Sequence, residues 1–269
     1  MFTPKIFTDV INSYLAEPHA SLLNGIIFGI PLKSDPFFYQ QLKIVGLLHM
    51  VVLSGINITF LSAIIASLTS IFSKQASMLI TILTIILFII FVGPQAPIIR
   101  AGIMGILTLV AIILKRRLFV FYSLFLSILI IFAFWPQWLT TISFQLSYGA
   151  TLGIILWGRT TIKKKPVDWF NKLVLNIKKD LRISLAAQAL TVPIIFLYFR
   201  QISLISPLAN LLVAPFIPSL MVFGFLTAIL GKINHILGFP FAYISYGLLS
   251  YMVFIIRTLS RLPFIYFQF

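Results

Sequence analysis

From Leu47 to Ile256 the chain passes through eight apolar windows with only short interruptions, at 47–70, 78–92, 98–114, 118–135, 142–158, 183–199, 206–230 and 236–256. An apolar run of about 20 residues satisfies its own backbone as a helix and asks nothing of water, which is what the hydrocarbon of a bilayer demands. Charge points the same way. Only 9% of the residues are charged, where a soluble chain carries about 25%. None of the five acids, Asp9, Glu17, Asp35, Asp168 and Asp180, falls within a window. The expected fold class is therefore all-α, a polytopic integral membrane protein with about eight transmembrane helices. Several windows are shorter than a full crossing, so the count ranges from about seven to nine.

Residues 1–45 read differently. Lys5 to Leu15 is weakly amphipathic and ends before Pro18. His19 to Ile30 is too short to cross, and Lys33 to Lys43 is a polar connector broken by Pro36. Residues 1–45 are expected to form an N-terminal interfacial or re-entrant segment, and 46–269 a single transmembrane domain without linker or repeat. Met1 to Glu17 lacks a basic stretch leading into an apolar one, so a cleaved signal peptide is not expected.

A formal charge of +15 suits nucleic acid, but basic loops on the cytoplasmic side of any polytopic protein produce the same surplus. If the Lys115-Arg116-Arg117 turn is cytoplasmic, alternation places Lys74, the eight basic residues between Arg159 and Arg182, and Lys232 on the same side. That side holds thirteen of the twenty Lys and Arg. Residues 159–182 then form a basic cytoplasmic loop, with an amphipathic surface helix expected near 167–177. Both termini fall outside. Anionic lipid would attract the loop by about 1 kcal/mol per basic residue.

The sequence offers little for catalysis. With no cysteine, disulfides and thiolate ligands are excluded. His19, His49 and His235 have no neighbouring carboxylate to complete a metal shell, and no acidic pair lies within the windows. Leu230-Gly231-Lys232-Ile233 fails as a phosphate-binding loop, because Gly224 stands seven residues before Gly231 and Ile233 replaces the required Ser or Thr. No enzyme activity, metal or cofactor is expected, and directional transport would need an energy source elsewhere.

The informative residues are polar ones inside apolar windows. His49, Ser54 and Asn57 lie within about 140° on a regular helix, and each needs a hydrogen-bond partner away from water. Ser54-Gly55 could equally break that helix. Arg100 sits among apolar residues just after Pro94 and Pro97. A central arginine costs about 2.5–3.5 kcal/mol on the lenient insertion scale, whereas one near a helix end can reach the interface. Ser143 and Ser147 share one helical face and Gln145 takes the other, followed by Gly149 and Gly153, a spacing that also serves close helix packing. Ser206 and Asn210 share a face ahead of Pro215 and Pro218.

Four of these stretches occur in an order that resembles the transmembrane competence domain of ComEC-type DNA-uptake channels: Gly46-Leu-Leu-His-Met-Val-Val-Leu-Ser-Gly55, Ala96-Pro-Ile-Ile-Arg-Ala-Gly-Ile-Met104, Ser143-Phe-Gln-Leu-Ser147 and Ser206-Pro-Leu-Ala-Asn-Leu-Leu-Val-Ala-Pro215. The resemblance covers about Ala20 to Arg257. It implies a multi-pass protein of the cytoplasmic membrane that conducts one strand of incoming DNA during natural transformation. The partners implied are single-stranded DNA, an external DNA receptor, a separate nuclease and a cytoplasmic ATP-driven translocase. Asn57 stands where the family usually has a second His. Longer members carry an OB-like and a metallo-β-lactamase-like nuclease domain, neither of which 269 residues with three His and five acids accommodate. On this reading His49, Ser54, Asn57, Arg100, Gln145 and Asn210 line one polar path for the strand. A small-anion permease and a non-conducting assembly subunit remain the alternatives, and the oligomeric state is left open.

The charge division generates a test. Because the chain has no native cysteine, single cysteines replacing Asp168 and Gln137 should react with an impermeant thiol reagent from the cytoplasmic and the outer side respectively. Labelling of both from one side would remove the orientation.

Overall fold

The computed structural model describes residues 4–30, 32, 36–48, 55–117, 119–158, 169–262 and 266–268. Three short helices come first: α1 (Lys5–Tyr14), α2 (His19–Phe28) and α3 (Pro36–Val45). They are followed by α4 (Gly55–Leu68), α5 (Lys74–Val92), α6 (Ala96–Ile113), α7 (Val120–Phe134) and α8 (Ile142–Trp157). The remaining helices are α9 (Trp169–Phe199), α10 (Ser206–Val213), α11 (Ile217–Ile233) and α12 (His235–Leu259).

Local chemistry sets several of these boundaries. Ser73 and Thr141 cap α5 and α8 by accepting from the Ala76 and Phe144 amides, and Asn234 separates α11 from α12 by accepting from Ile236 N at 2.9 Å. Pro97, Pro207 and Pro218 fall in the first turns of α6, α10 and α11, where the missing N–H has no helical partner to lose.

Five helical stretches are long and apolar enough to cross a membrane: α5, α6, Val174–Tyr198 within α9, Ser206–Ile233 across α10 and α11, and α12. The other three windows hold α4, α7 and α8, of 14, 15 and 16 residues. At about 1.5 Å per residue these reach roughly 21–24 Å, short of a hydrocarbon core of about 30 Å.

Four regions depart from the sequence reading, the first being residues 36–45, read as part of a polar connector, which form the helix α3 with Phe38 and Leu42 buried. The surface helix expected near 167–177 is not a separate element, because from Trp169 it continues into α9 as one helix of 31 residues. The window at 206–230 is divided by a tight turn at Ala214–Phe216. A two-stranded antiparallel ribbon, β1 (Gln201–Ser203) with β2 (Tyr266–Gln268), interrupts the otherwise helical fold and pairs Ile202 with Phe267. Strands of three residues are too short to show an alternating pattern.

The main core forms around α2. Every residue from Ala20 to Phe28 is buried, so this ten-residue helix is enclosed by protein. It packs with Ile11 of α1, Phe38 and Leu42 of α3, Val213 of α10, Leu220 and Met221 of α11, and Leu249 and Met252 of α12. The helices α1, α2 and α3 thus share one core with α10, α11 and α12. A second cluster joins α4, α5 and α6 through Ile58, Ile85, Phe88 and Ile98, and a third joins α6, α7 and α8 through Ala96, Leu124, Ile131, Phe144 and Tyr148. Phe225 meets Phe28 and Phe88 edge-on at 6.0 and 6.2 Å and so links the first two clusters.

The outward surface inverts the usual pattern. Leu79, Leu83, Leu87 and Ile90 of α5 are exposed, as are Phe121, Phe125 and Phe132 of α7. Inside, the buried Thr81, Ser123, Ser127 and Thr227 hydroxyls donate to carbonyls three or four residues earlier in their own helices. Such bonding suits helices whose flanks face hydrocarbon.

Close backbone approach holds α8 to α9. A Cβ added at Gly153 would collide with the Ala186 carbonyl, and one at Gly149 would lie 3.1 Å from Ile194 Cδ1. The Ala186 carbonyl is backbone and cannot rotate away. Gly153→Ala should therefore destabilise the purified protein by about 2–3 kcal/mol, within the range for overpacking. Gly247→Ala, where nothing lies within 4 Å, should leave thermal unfolding unchanged. Equal melting of the two variants would show that the α8–α9 seam is not tightly constrained.

Candidate functional site

Arg100 enters the interior because α6 begins at Ala96, one turn earlier, with Pro97 in its first turn. Its side chain crosses to α8, where Nε donates to Ser147 Oγ at 2.9 Å. Nη1 donates to Thr151 Oγ1 and lies 3.9 Å from Met104 Sδ. Thr151 Oγ1 in turn donates to the Ser147 carbonyl at 2.9 Å. The guanidinium also lies over the Tyr148 ring, 5.8 Å from its centroid, and the Tyr148 hydroxyl is 2.8 Å from Ser127 Oγ on α7. Its polar surroundings are thus neutral, and no carboxylate pairs with Arg100 among the described residues. Hydroxyls solvate a cation without cancelling its charge, so a positive field remains at the junction of α6, α7 and α8.

The N-terminus of α4 completes this junction. A Cβ at Gly55 would lie 2.8 Å from Arg100 Nη2 and 3.2 Å from Ala101 Cβ. A glycine there lets the guanidinium lie close against the backbone of α4; a larger residue would require the arginine end to shift.

A second polar seam joins α9 and α10. Gln188 Nε2 donates to Ser206 Oγ at 3.2 Å, and Asn210 Nδ2 donates to Ser184 Oγ at 3.2 Å. Ser184 and Gln188 are one turn apart on α9, as are Ser206 and Asn210 on α10, so the bonds form two rungs. Gly46 closes one end of this ladder with φ of +75°, a left-handed conformation natural to glycine. Its carbonyl accepts from Ser206 Oγ at 3.5 Å, and a Cβ on it would lie 2.8 Å from Ser206 Cβ and 3.2 Å from Ser203 Cβ. Asn210 Oδ1 and Ser203 Oγ are buried without a hydrogen-bond partner among the described residues. The seam therefore has unused polar capacity.

The six residues read from the sequence are distributed as follows. Arg100 and Asn210 occupy the two separate seams. Asn57 is 1% exposed and faces the main core, where Nδ2 donates to the Ile26 carbonyl of α2 at 2.7 Å. It lies about 200° around α4 from Gly55, so one side of that helix serves the core and the other serves Arg100. Gln145 is partly buried and stands about 200° around α8 from Ser147, away from the guanidinium. His49 and Ser54 lie outside the described residues. The four described residues do not meet at one point. Two of them instead mark polar seams beside Gly46 and Gly55, which flank residues 47–54. Sequence reading passed over Thr151, Ser127, Ser184 and Gln188. Two pairs did leave a signal, since Ser147 with Thr151 and Ser184 with Gln188 are polar at i and i+4 on helices.

Asn57 gives this arrangement a direct test. Asn57→Leu orphans the Ile26 carbonyl and should destabilise the purified protein by about 1–3 kcal/mol. Asn57→His retains an N–H able to donate and should recover most of that loss in thermal unfolding. Equal melting of both variants would show that the carbonyl does not depend on this donor.

These seams lie within stretches shared with known proteins. A sequence-family model described as Competence protein matches residues 26–269. The chain is also similar to ComE operon protein 3 of Bacillus subtilis (strain 168), with 27% identity over 215 residues, which is 79% of this chain and 26% of that protein. It thus spans about a quarter of the length of this curated relative. No solved structure matches it significantly. The family match begins in α2, at the residue whose carbonyl Asn57 engages, and includes Gly46, Gly55, Arg100, Ser147, Ser206 and Asn210; the chain belongs to the Competence protein family.

Proposed function

We propose that this protein takes part in DNA uptake as a membrane channel, conducting one strand of DNA across the cytoplasmic membrane. The observation that carries this reading is Arg100, a cation placed among helices, bonded to neutral hydroxyls and unpaired with any carboxylate among the described residues. Membership of the Competence protein family and the printed name of the Bacillus subtilis relative support the role in uptake.

A translocating strand must be attracted without being retained. One cation in a water-poor constriction offsets part of the cost of dehydrating a phosphate, while neutral donors allow the next phosphate to replace the last. In this reading the path includes the Arg100 cluster beside Gly55 and the Ser206–Asn210 ladder beside Gly46. His49 and Ser54, which lie outside the described residues, are assigned to the same path from their place in the Gly46–Gly55 stretch of the sequence. Gln145, turned away from the guanidinium on α8, is kept in the path from its place in the Ser143–Ser147 stretch, and Asn57 anchors α4 to the core through the Ile26 carbonyl.

In this reading about eight helices cross, with α4, α7 and α8 accommodated by local thinning or partial crossing, and both termini lie outside. The chain performs no catalysis of its own. An external receptor delivers DNA, a separate nuclease supplies the single strand, and a cytoplasmic ATP-driven translocase provides the force. A small-anion permease is the second reading, because a single enclosed guanidinium also suits a compact anion. Saturable solute uptake without DNA would favour it.

Arg100→Gln should reduce transformation about tenfold or more, as expected from losing about 1.5–3 kcal/mol of charged hydrogen bonding to a passing phosphate. Protein level and surface DNA binding should stay normal. Undiminished transformation at normal protein level would remove the role given to Arg100.

A further inference from the structure

The surface where α8 and α9 meet holds a cavity of about 490 Å³ with an amphipathic lining. Lys178 and Arg182 stand at one end, and Leu185, Ala186 and Ala189 continue along the same face of α9 at helical spacing. Trp157, at the end of α8, forms the opposite wall. The small floor residues matter, because close approach of Gly153 to Ala186 sinks the seam between the two helices. Trp157 and Leu185 are 49% and 50% exposed, so the groove opens outward along Val174–Tyr198, a helix stretch apolar enough to cross a membrane.

Among the described residues the cationic end remains available to an anion. Arg182 Nε donates to the Trp157 carbonyl at 3.0 Å, which satisfies an end carbonyl of α8 and fixes the guanidinium at the mouth of the groove. Asp180 lies about 200° around α9 from both cations and does not neutralise them. Arg182 to Ala189 spans about 10 Å along the helix, two-thirds of the roughly 15 Å hydrocarbon depth of one leaflet. Charge at one end, an apolar floor of that length and an indole at the boundary fit a molecule with the same division.

We propose that this groove binds one anionic phospholipid, with its phosphate on Lys178 and Arg182 and an acyl chain along Leu185, Ala186 and Ala189. Such a lipid covers both parts of the groove, whereas a soluble polyanion would leave its apolar floor wet. Bound there, it ties α8 to the start of the membrane stretch of α9. Because α8 carries Ser147 and Thr151, the lipid steadies the helix that holds Arg100.

Native mass spectrometry of the full chain from zwitterionic detergent tests this, with phosphatidylglycerol compared against phosphatidylcholine of the same acyl composition. One phosphatidylglycerol should be retained in preference. Lys178→Gln should weaken retention about fivefold, the equivalent of about 1 kcal/mol for one basic residue at the membrane surface. Ala189→Trp should weaken it comparably by filling the floor while leaving both charges. Leu185→Gln provides a second floor variant should the tryptophan disturb folding, which far-UV circular dichroism reads. Equal retention of the two lipids would overturn the proposal. So would displacement by glycerol phosphate alone, which would reveal a simple anion site, or displacement by a single-stranded oligonucleotide. Loss with Lys178→Gln but not with either floor variant would overturn it as well, since diffuse attraction to a basic surface behaves that way. None of these outcomes depends on DNA transport.

Discussion

Helices with apolar flanks gain little by pressing those flanks together when their surroundings are already apolar. Their association rests on close backbone contact and on polar bonds between helices. Both are concentrated at particular places in this protein. Gly153 lets α8 meet the backbone of α9, and Gly224 lets α2 settle on α11 through Leu23 and Ile27. Once α2 is seated, its Ile26 carbonyl becomes the acceptor for Asn57 of α4. The position of α4 is thereby tied to the main core, and with it the position of Gly55 against Arg100.

This chain of contacts explains why a guanidinium can be enclosed here. An arginine inside a membrane protein commonly pairs with a carboxylate or with backbone carbonyls. Arg100 instead meets hydroxyls supplied by Ser147 and Thr151, which share a face of α8, and the ring of Tyr148, itself engaged by Ser127. A carboxylate partner would cancel the charge. Hydroxyls solvate it and leave the field in place. The ladder between α9 and α10 has a different character, since its members are neutral and Asn210 Oδ1 and Ser203 Oγ have no partner among the described residues. One seam carries a charge and the other is neutral.

The long helix α9 connects these features. Its 31 residues span about 46 Å, more than a hydrocarbon core, and Lys178, Lys179 and Arg182 stand exposed in its first half. Further along it supplies Ala186 to the Gly153 contact and Ser184 and Gln188 to the ladder. It ends beside β1, which pairs with β2 near the last residues. A displacement of α9 would therefore be felt at both polar seams.

Much of this architecture was legible in the amino-acid order. Apolar windows are read by composition and length, so the helices at 74–92, 96–113, 120–134, 142–157 and 235–259 fall close to where hydropathy places them. Arg100 was legible for the same reason, because a charge within an apolar run is costly wherever it occurs. The destination of each polar side chain was not. Helical periodicity places Ser147 and Thr151 on one face without naming what that face meets, and it groups Asn57 with its neighbours although Asn57 turns to the Ile26 carbonyl. The ribbon of β1 and β2 left no periodic trace in three residues, and the enclosure of α2 could not follow from ten residues, mostly apolar, that suit an interface equally well. Sequence determined which segments avoid water and which residues need partners, since both are properties of the residues themselves. Tertiary structure alone decided which partners they found, because the choice depends on how closely Gly55, Gly153 and Gly224 allow separate helices to approach.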